Sequence, residues 1–314
     1  MKSFKIILLA AISLVLVAAG WIYQAGLSAG QTVFSSTYYH EAVAETELTS
    51  YIHEVAQDRL MEEMSAEMPD NMAMVVTRVF LTVFDEQWVG EKLLVVSDDV
   101  VLYITGEQPA PRAVIDLREE KEQLGKNLEL ALTVIPGQIL SMLGFDPQEL
   151  DDLAVALVEQ MPLPDLITVQ DLLAMNSLNG DLASLLNMAR HYHSYYLYVS
   201  FAVFILMLFA AYRLAGIPAA LKWFGASAVI SGACFYIAMQ AGRFVLPTMF
   251  ELGMVDESFY GSEAYISVMN FSVERMLHIP AYYTLFGILV VLAGLLTGSF
   301  YFNRAKVKSG AENE

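Results

Sequence analysis

The chain has 314 residues, of which 56% are hydrophobic and only 17% charged, yet its formal net charge is −18. Because about a quarter of a typical soluble chain is charged, these values and a mean hydropathy of +0.49 exclude an ordinary soluble globule. A membrane protein whose acidic residues are concentrated in a water-facing part accounts for both observations. The acidity argues against nucleic acid as a partner, since that requires a basic face. The single Cys excludes an intrachain disulfide and a Cys-based zinc site.

Four apolar segments are long enough to cross a membrane, since about 20 apolar residues span a hydrocarbon core of roughly 30 Å. They cover residues 4–23, 195–212, 223–246 and 282–302. Tyr and Trp flank the segments, as expected at a membrane interface. We therefore expect an all-α membrane protein with four transmembrane helices. An acidic, mainly helical extracytoplasmic domain is expected between spans one and two.

Basic residues predict the orientation of the chain. The N-terminus, the link between spans two and three and the C-terminal tail hold seven Lys/Arg against two acidic residues, whereas loop 247–280 has one Arg and five acids. Since Lys and Arg accumulate on the cytoplasmic side, both termini of a multi-pass plasma-membrane protein are predicted to be cytoplasmic. The predicted parts are an N-terminal anchor (1–30), an extracytoplasmic domain (31–190), a three-span membrane domain (191–303) and a cytoplasmic tail (304–314).

The first apolar segment has two interpretations. A basic start and the small residues Ala18-Ala19-Gly20 are typical of a cleaved signal peptide. Apolar character continues through Trp21-Ile22-Tyr23, and this favours an uncleaved anchor.

The predicted extracytoplasmic domain carries 8 Lys/Arg and 28 Asp/Glu, a net charge of −20. Its first apolar stripes keep the three- and four-residue spacing of helices. The stripes are Met72, Val75, Val76, Val79, Phe80 and Val83, then Val89, Leu93, Val96, Val100 and Tyr103. Gly106 predicts the end of the second helix, although β-branched residues leave a strand open for 93–104. The one extended segment we expect is Ala113–Leu117.

Further helices are predicted along the rest of this domain. One carries the stripe Leu117, Lys121, Leu124, Leu128 and Leu132, ending at Pro136-Gly137. Asp146-Pro147-Gln148-Glu149 is typical of a capped helix start, and Thr168 and Asp171 repeat the capping-box spacing. Nothing interrupts a helix from Asp181 to Arg213, so one rod is expected to run into span two.

Three short segments carry a resemblance. They are Trp88, Tyr103-Ile104-Thr105-Gly106-Glu107 and Ile115-Asp116-Leu117. Together, over about residues 70–125, they resemble prokaryotic four-span membrane proteins with a helical extracytoplasmic domain. The resemblance implies this architecture and no particular activity.

Two His-Glu pairs are candidate metal ligands. His40-Glu41 with Glu45, and His53-Glu54, match the first half of the helical zincin motif, in which a second His four residues on binds the same ion. Ala44 and Gln57 occupy those positions, so the motif is incomplete in both. Asp98-Asp99 supplies oxygen ligands but lacks the EF-hand spacing. The sequence predicts no cofactor.

Small residues at four-residue spacing permit close contact between membrane helices. They are Ala228 and Gly232, Ala238 and Gly242, and Gly294 and Gly298. These small residues would allow close packing either among the four spans or between two copies of the chain. Apart from Lys5 at the start of span one, spans one, two and four contain no ionisable acid or base, and Arg243 near the end of span three is placed where Arg can reach the interface.

Three hypotheses about function follow. The first is an integral membrane protein that displays its outer domain for partner or ligand binding or complex assembly, with the lipid bilayer, an envelope protein or a second copy as partners. The second is a metal-dependent outer-face enzyme that uses the His-Glu pairs. The third is a small transporter or channel, which usually keeps charged groups at the membrane midplane; the apolar spans disfavour it.

Overall fold

The computed structural model describes residues 2–134, 154, 158, 163–171, 181–251 and 263–311. Within these residues the protein is helical apart from one two-stranded sheet. The chain divides into two compact units. We call the first the membrane unit (Met1–Tyr38, Asn187–Gly261 and Val268–Glu314) and the other the second unit (Tyr39–Leu186 with Ser262–Ser267).

The helices of the membrane unit are longer than the apolar segments within them. They are α1 (Lys2–Gln31), α7 (Asp181–Ala215), α8 (Ile217–Glu251) and α10 (His278–Ala311), with α9 (Glu263–Met276) between the last two. Helix α7 belongs to the membrane unit from Asn187 onward. Four helical stretches are long and apolar enough to cross a membrane: Phe4–Gln31, Tyr195–Ala215, Ile217–Val245 and Glu263–Ser299. The all-helical, four-span prediction is confirmed at this level, as is the uninterrupted helix from Asp181.

Helix α8 packs along both α10 and α1. A small core joins one end of α1 to the end of α7 and the start of α8 through Leu9, Ile12, Leu16, Ala211 and Ala220. Gly216, with φ of 78°, makes the turn between α7 and α8, a backbone conformation that favours glycine.

The second unit begins with α2 (Ser36–Glu45, from Tyr39), α3 (Leu48–Glu67), α4 (Asp70–Val83) and α5 (Glu86–Thr105). The predicted helices at 72–83 and 89–103 are confirmed. The strand alternative for 93–104 is wrong, because Asp85 caps α5 by accepting from the Trp88 N–H at 2.8 Å and Gly106 ends it with φ of 85°. A hydrogen-bonded N-cap and a left-handed C-cap together stabilise a helix against β-branched propensity.

The sheet pairs β1 (Val114–Asp116) with β2 (Leu166–Thr168) in antiparallel register, Ile115 opposite Ile167. The extended prediction at 113–117 is confirmed, whereas the sequence offered no signal for β2. After β2, Thr168 and Asp171 form the predicted capping box: Thr168 N–H donates to Asp171 Oδ2 at 2.9 Å and Asp171 N–H to Thr168 Oγ1 at 3.1 Å.

Helix α6 (Arg118–Val134) supplies the centre of the second unit's core. Leu124, Leu128 and Leu132 are fully buried, as their spacing predicts. They pack with the apolar faces of α3 and α4 and with Ala154 and Val158. Burying each such side chain stabilises the fold by about 1.5–3 kcal/mol. Apart from Ala154 and Val158, the helix predicted from Asp146 lies outside the described residues. The helix end predicted at Pro136-Gly137 also lies outside them.

Candidate functional site

The predicted metal ligands lie on two helices of the second unit. His40, Glu41 and Glu45 are on α2, and His53 and Glu54 are on α3. The described residues contain no group of three or more His, Cys, Asp or Glu side chains placed to hold a metal ion. His40 instead lies 3.1 Å from Asp98 on α5, Nε2 to Oδ2, with both side chains about half exposed (51% and 41%).

Asp99, the neighbour of Asp98, has a different environment. Its side chain is buried, and Oδ2 accepts the N–H groups of Arg112 and Ala113 at 2.7 and 2.9 Å. Oδ1 accepts from Gln108 Nε2 at 2.7 Å. The carboxylate therefore holds the segment between α5 and β1 in place. The sequence offered Asp99 as an oxygen ligand without the EF-hand spacing of a calcium site. In the structure its oxygens accept from two backbone N–H groups and from the Gln108 side chain.

An apolar groove lies in the second unit. It encloses about 350 Å³ between α3, α4, α5 and β1. Its lining is formed by Ile52, His53, Ala56, Phe80, Phe84, Trp88, Val89, Lys92, Leu93, Val96, Ile115 and Leu163. A volume of this size accommodates one or two large side chains or a small ligand.

An aromatic ladder builds one wall of the groove. Phe80, Phe84 and Trp88 follow each other at four-residue spacing through the end of α4 and the start of α5, with ring centroids 4.3 and 4.8 Å apart. Trp88 and Phe84 meet edge to face at 87°, a favourable arrangement for two rings. The Asp85 cap sets the turn that brings Trp88 beside Phe84.

Two charged side chains lie close to the indole ring of Trp88. Trp88 Nε1 donates to Glu120 Oε1 at 2.7 Å. Lys92 Nζ lies 3.6 Å from the same carboxylate and 5.5 Å from the centre of the Trp88 ring. The Glu120 side chain is only 15% exposed, so this charge is compensated in a partly desolvated setting. The groove thus combines apolar walls with a cation, Lys92, which pairs with the Glu120 carboxylate outside its lining.

His53 gives the groove a polar group of its own. Its Nε2 is buried and has no hydrogen-bond partner within the described part of the chain. Unpaired buried nitrogen atoms cost free energy, and one that lines a cavity is a contact point for an incoming group. Sequence analysis singled out His53 as a metal ligand but missed Lys92 and Glu120. The four-residue spacing from Trp88 to Lys92 was a signal for the position of Lys92 on the same helix face.

Three ion pairs involve residues of α6. The Arg118 side chain and backbone N–H both donate to Asp116, and they lower the pKa of that carboxyl to about 2. Lys126 donates to Glu122 at 2.6 Å and lowers the pKa of Glu122. Lys121 Nζ donates to Asp165 at 2.7 Å and to the carbonyl of Leu163, which lines the groove.

The small residues predicted for helix packing have two kinds of surroundings in the membrane unit. Ala228 is buried, and a Cβ on Gly232 would lie 2.9 Å from the Pro280 carbonyl. A Cβ on Gly294 would lie 3.0 Å from the Pro218 carbonyl, and one on Gly298 would be at ordinary contact distance. Ala238 is exposed and Gly242 has open space, so within this chain neither is at a tight helix contact.

Helices α8 and α10 also approach closely at a pair of glycines that the four-residue spacing did not include. A Cβ on Gly225 would lie 2.7 Å from the Gly287 carbonyl, and one on Gly287 would lie 2.7 Å from the Val229 N. Gly225 is seven residues before Gly232, and Gly287 is seven before Gly294. This seven-residue repeat on both helices was the signal for the contact.

Polar side chains also join the membrane helices. Gln24 on α1 is fully buried and donates to Ser231 Oγ of α8 at 3.0 Å and to the Gly20 carbonyl at 3.1 Å. Arg243 of α8 contacts two residues of α9: Nε donates to Asn270 Oδ1 at 2.9 Å and a terminal nitrogen to Glu274 at 2.6 Å. The predicted interfacial Arg is therefore ion-paired.

Comparison of the chain with protein-family models, with curated proteins and with solved structures found no match.

Proposed function

We propose that this chain is an integral plasma-membrane protein that presents residues 31–190 on the extracytoplasmic side, where the apolar groove binds a segment of a partner polypeptide. The groove is the single observation that carries the proposal. It is a cavity of about 350 Å³ on a unit otherwise rich in acidic side chains. Apolar concavities with a few fixed polar groups are the usual form of a binding site.

The chemistry of the groove indicates what would bind. Aromatic and aliphatic walls favour an apolar side chain, and His53 Nε2 offers one polar contact within the lining. Lys92 and Glu120 lie together at the Trp88 end. An envelope protein or a second copy of this chain would supply such a segment. No comparable observation favours a metal-dependent enzyme or a transporter.

Photo-crosslinking tests this proposal in membranes of producing cells. A benzoylphenylalanine at Leu93, which lines the groove, is expected to give one discrete crosslinked species on irradiation. The same residue at Val95, exposed on the same helix and outside the groove, is the matched control. The mass of the product distinguishes a second copy from another protein.

A groove-filling variant makes the test specific. Ala56→Phe places a ring in the groove and is expected to abolish the Leu93 crosslink, whereas Ala66→Phe on an exposed part of α3 leaves it intact. Equal crosslinking from positions 93 and 95, or none from either, contradicts the proposal.

A further inference from the structure

The membrane unit contains a larger cavity, which we call the aromatic chamber. It encloses about 760 Å³ between α1, α7, α8 and α10. Its walls are Tyr23, Leu27, Gln31, Phe201, Phe204, Ile205, Leu208, Phe224, His278, Ile279, Tyr282, Tyr283 and Phe286. Volumes of about 300–1,000 Å³ are typical of sites for small molecules.

Helix α7 approaches α1 at both ends and leaves the chamber between. Near its outer contact, Tyr192 Oη donates to the Ile22 carbonyl at 2.8 Å, and the Tyr196 ring lies directly over Gly26. At the other end Ala211 is fully buried in the small core with α1. Large rings fill the middle: Phe204 lies 6.0 Å from Tyr23, centroid to centroid. Large side chains in the middle of this contact therefore keep α1 and α7 apart, and the chamber lies in the space between them.

A polar cavity, which we call the vestibule, adjoins the chamber. It encloses about 590 Å³ and is lined by Gly30, Gln31, Ser35, Thr37, Glu274, Arg275 and His278. Gln31 and His278 line both cavities. An apolar space and a polar space therefore share a boundary at the last residue of α1 and the first residue of α10.

The charges around the vestibule favour an anion. Glu274 is the acidic side chain of its lining, and Arg243 donates to it at 2.6 Å. Arg275 adds a second guanidinium, so the described part of the chain places two arginines and one carboxylate at the vestibule. Guanidinium groups bind phosphate oxygens well.

We propose that the chamber and vestibule together bind one phospholipid with an anionic headgroup, its acyl chain in the aromatic chamber and its phosphate in the vestibule. The chamber lies among the helical stretches long and apolar enough to span a membrane, and there the surrounding solvent is acyl chain rather than water. Aromatic and aliphatic side chains form most of the chamber's lining, and a lipid acyl chain is the ligand that matches such a lining. The adjoining polar space selects a headgroup.

Native mass spectrometry of the full chain tests this. The protein is released from nanodiscs that contain equal amounts of palmitoyl-oleoyl phosphatidylcholine and phosphatidylglycerol. The wild type is expected to retain one phospholipid per chain, with phosphatidylglycerol enriched. Leu208→Trp, which fills the chamber, is expected to lower lipid occupancy about tenfold, equivalent to about 1.4 kcal/mol of binding free energy.

Two further variants separate the parts of the proposal. Leu206→Trp, on the same helix, 61% exposed and outside the chamber, is the matched control and should keep the lipid. Arg275→Gln should retain a lipid but lose the preference for phosphatidylglycerol. Absence of a retained lipid in the wild type, or equal occupancy in Leu208→Trp and wild type, overturns the chamber site. Equal retention of the two headgroups by the wild type overturns the anionic vestibule.

Discussion

Two adjacent aspartates show how differently identical residues can act. Asp98 makes a half-exposed contact with His40, whereas buried Asp99 accepts three hydrogen bonds from the segment that follows α5. Hydrogen bonds to a buried charge are stronger than those between neutral groups, and removing the acceptor leaves its donors unpaired. Exposed pairs contribute little because solvent screens them.

We therefore expect Asp99→Ala to destabilise the second unit by about 2–3 kcal/mol, since buried backbone N–H groups lose their acceptor. Asp98→Ala is the matched control and should change stability by less than about 1 kcal/mol. Thermal unfolding of the full chain in detergent and hydrogen exchange at residues 106–113 measure the effect. Equal loss in both variants contradicts the structural role of Asp99.

The Asp116–Arg118 pair predicts a pH dependence. Because its folded pKa is lowered from 3.8 to about 2, the pair stabilises the fold above about pH 4 and this contribution is lost as the pH falls towards 2. NMR titration of the carboxyl carbon should give a midpoint of about 2, rising towards 3.8 in Arg118→Gln. Arg112→Gln, which removes an exposed arginine four residues before Asp116, should leave the midpoint low. A wild-type midpoint near 3.8 contradicts the pairing.

The histidine residues illustrate where prediction from sequence stops. The side chains of adjacent residues such as His40 and Glu41 point about 100° apart on a helix. Proximity along the chain therefore does not bring metal ligands together. The partner of His40 is Asp98, 58 residues away. The sequence contained no periodic signal for this tertiary contact, nor for the Trp88–Glu120 hydrogen bond across 32 residues.

Among the described elements, α8 and α10 pack against each other most extensively. Glycine residues allow their backbones to approach closely. At Gly225 and Gly287 the backbones themselves limit the approach. Without a hydrophobic force between helices in lipid, such packing is a main source of association. Gly242 on the same helix has open space instead.

Gly225→Ala is accordingly expected to destabilise the membrane unit by about 1–3 kcal/mol, because its methyl group would overlap backbone atoms of α10. Gly242→Ala is the matched control and should be neutral or slightly stabilising, since Ala favours helix over Gly. Unfolding of each variant in mixed micelles by titration with dodecyl sulfate provides the measurement. A neutral Gly225→Ala would contradict the close helix approach.

Periodicity predicted the helices well and the sheet only in part. The stripes on α4 and α6 are confirmed because each helix buries one face, and an apolar spacing reports that face directly. On α5 the helix is confirmed, but its buried residues, among them Gly90, Val101 and Ile104, lie beside the predicted stripe, whose side chains are half-buried. Strand β2 has three residues and is specified by its pairing with β1. Short strands depend on a partner far along the chain, so local composition carries no signal for them.

At the scale of the whole molecule, the chain combines four apolar helices with a compact unit of different composition. Segregation of basic and acidic residues supports the proposed orientation, because Lys and Arg favour the cytoplasmic side. The proposed groove partner and lipid site both depend on this arrangement. The side on which the second unit lies is therefore the central claim.

Site-directed cysteine labelling tests that claim most directly. In a Cys234→Ala background, which removes the single native cysteine, one cysteine is introduced either by Glu54→Cys in the second unit or by Ala215→Cys at the end of α7. Both positions are exposed. A membrane-impermeant maleimide should label Glu54→Cys in intact cells and Ala215→Cys only after permeabilisation. Labelling of Ala215→Cys but not Glu54→Cys in intact cells would contradict the account.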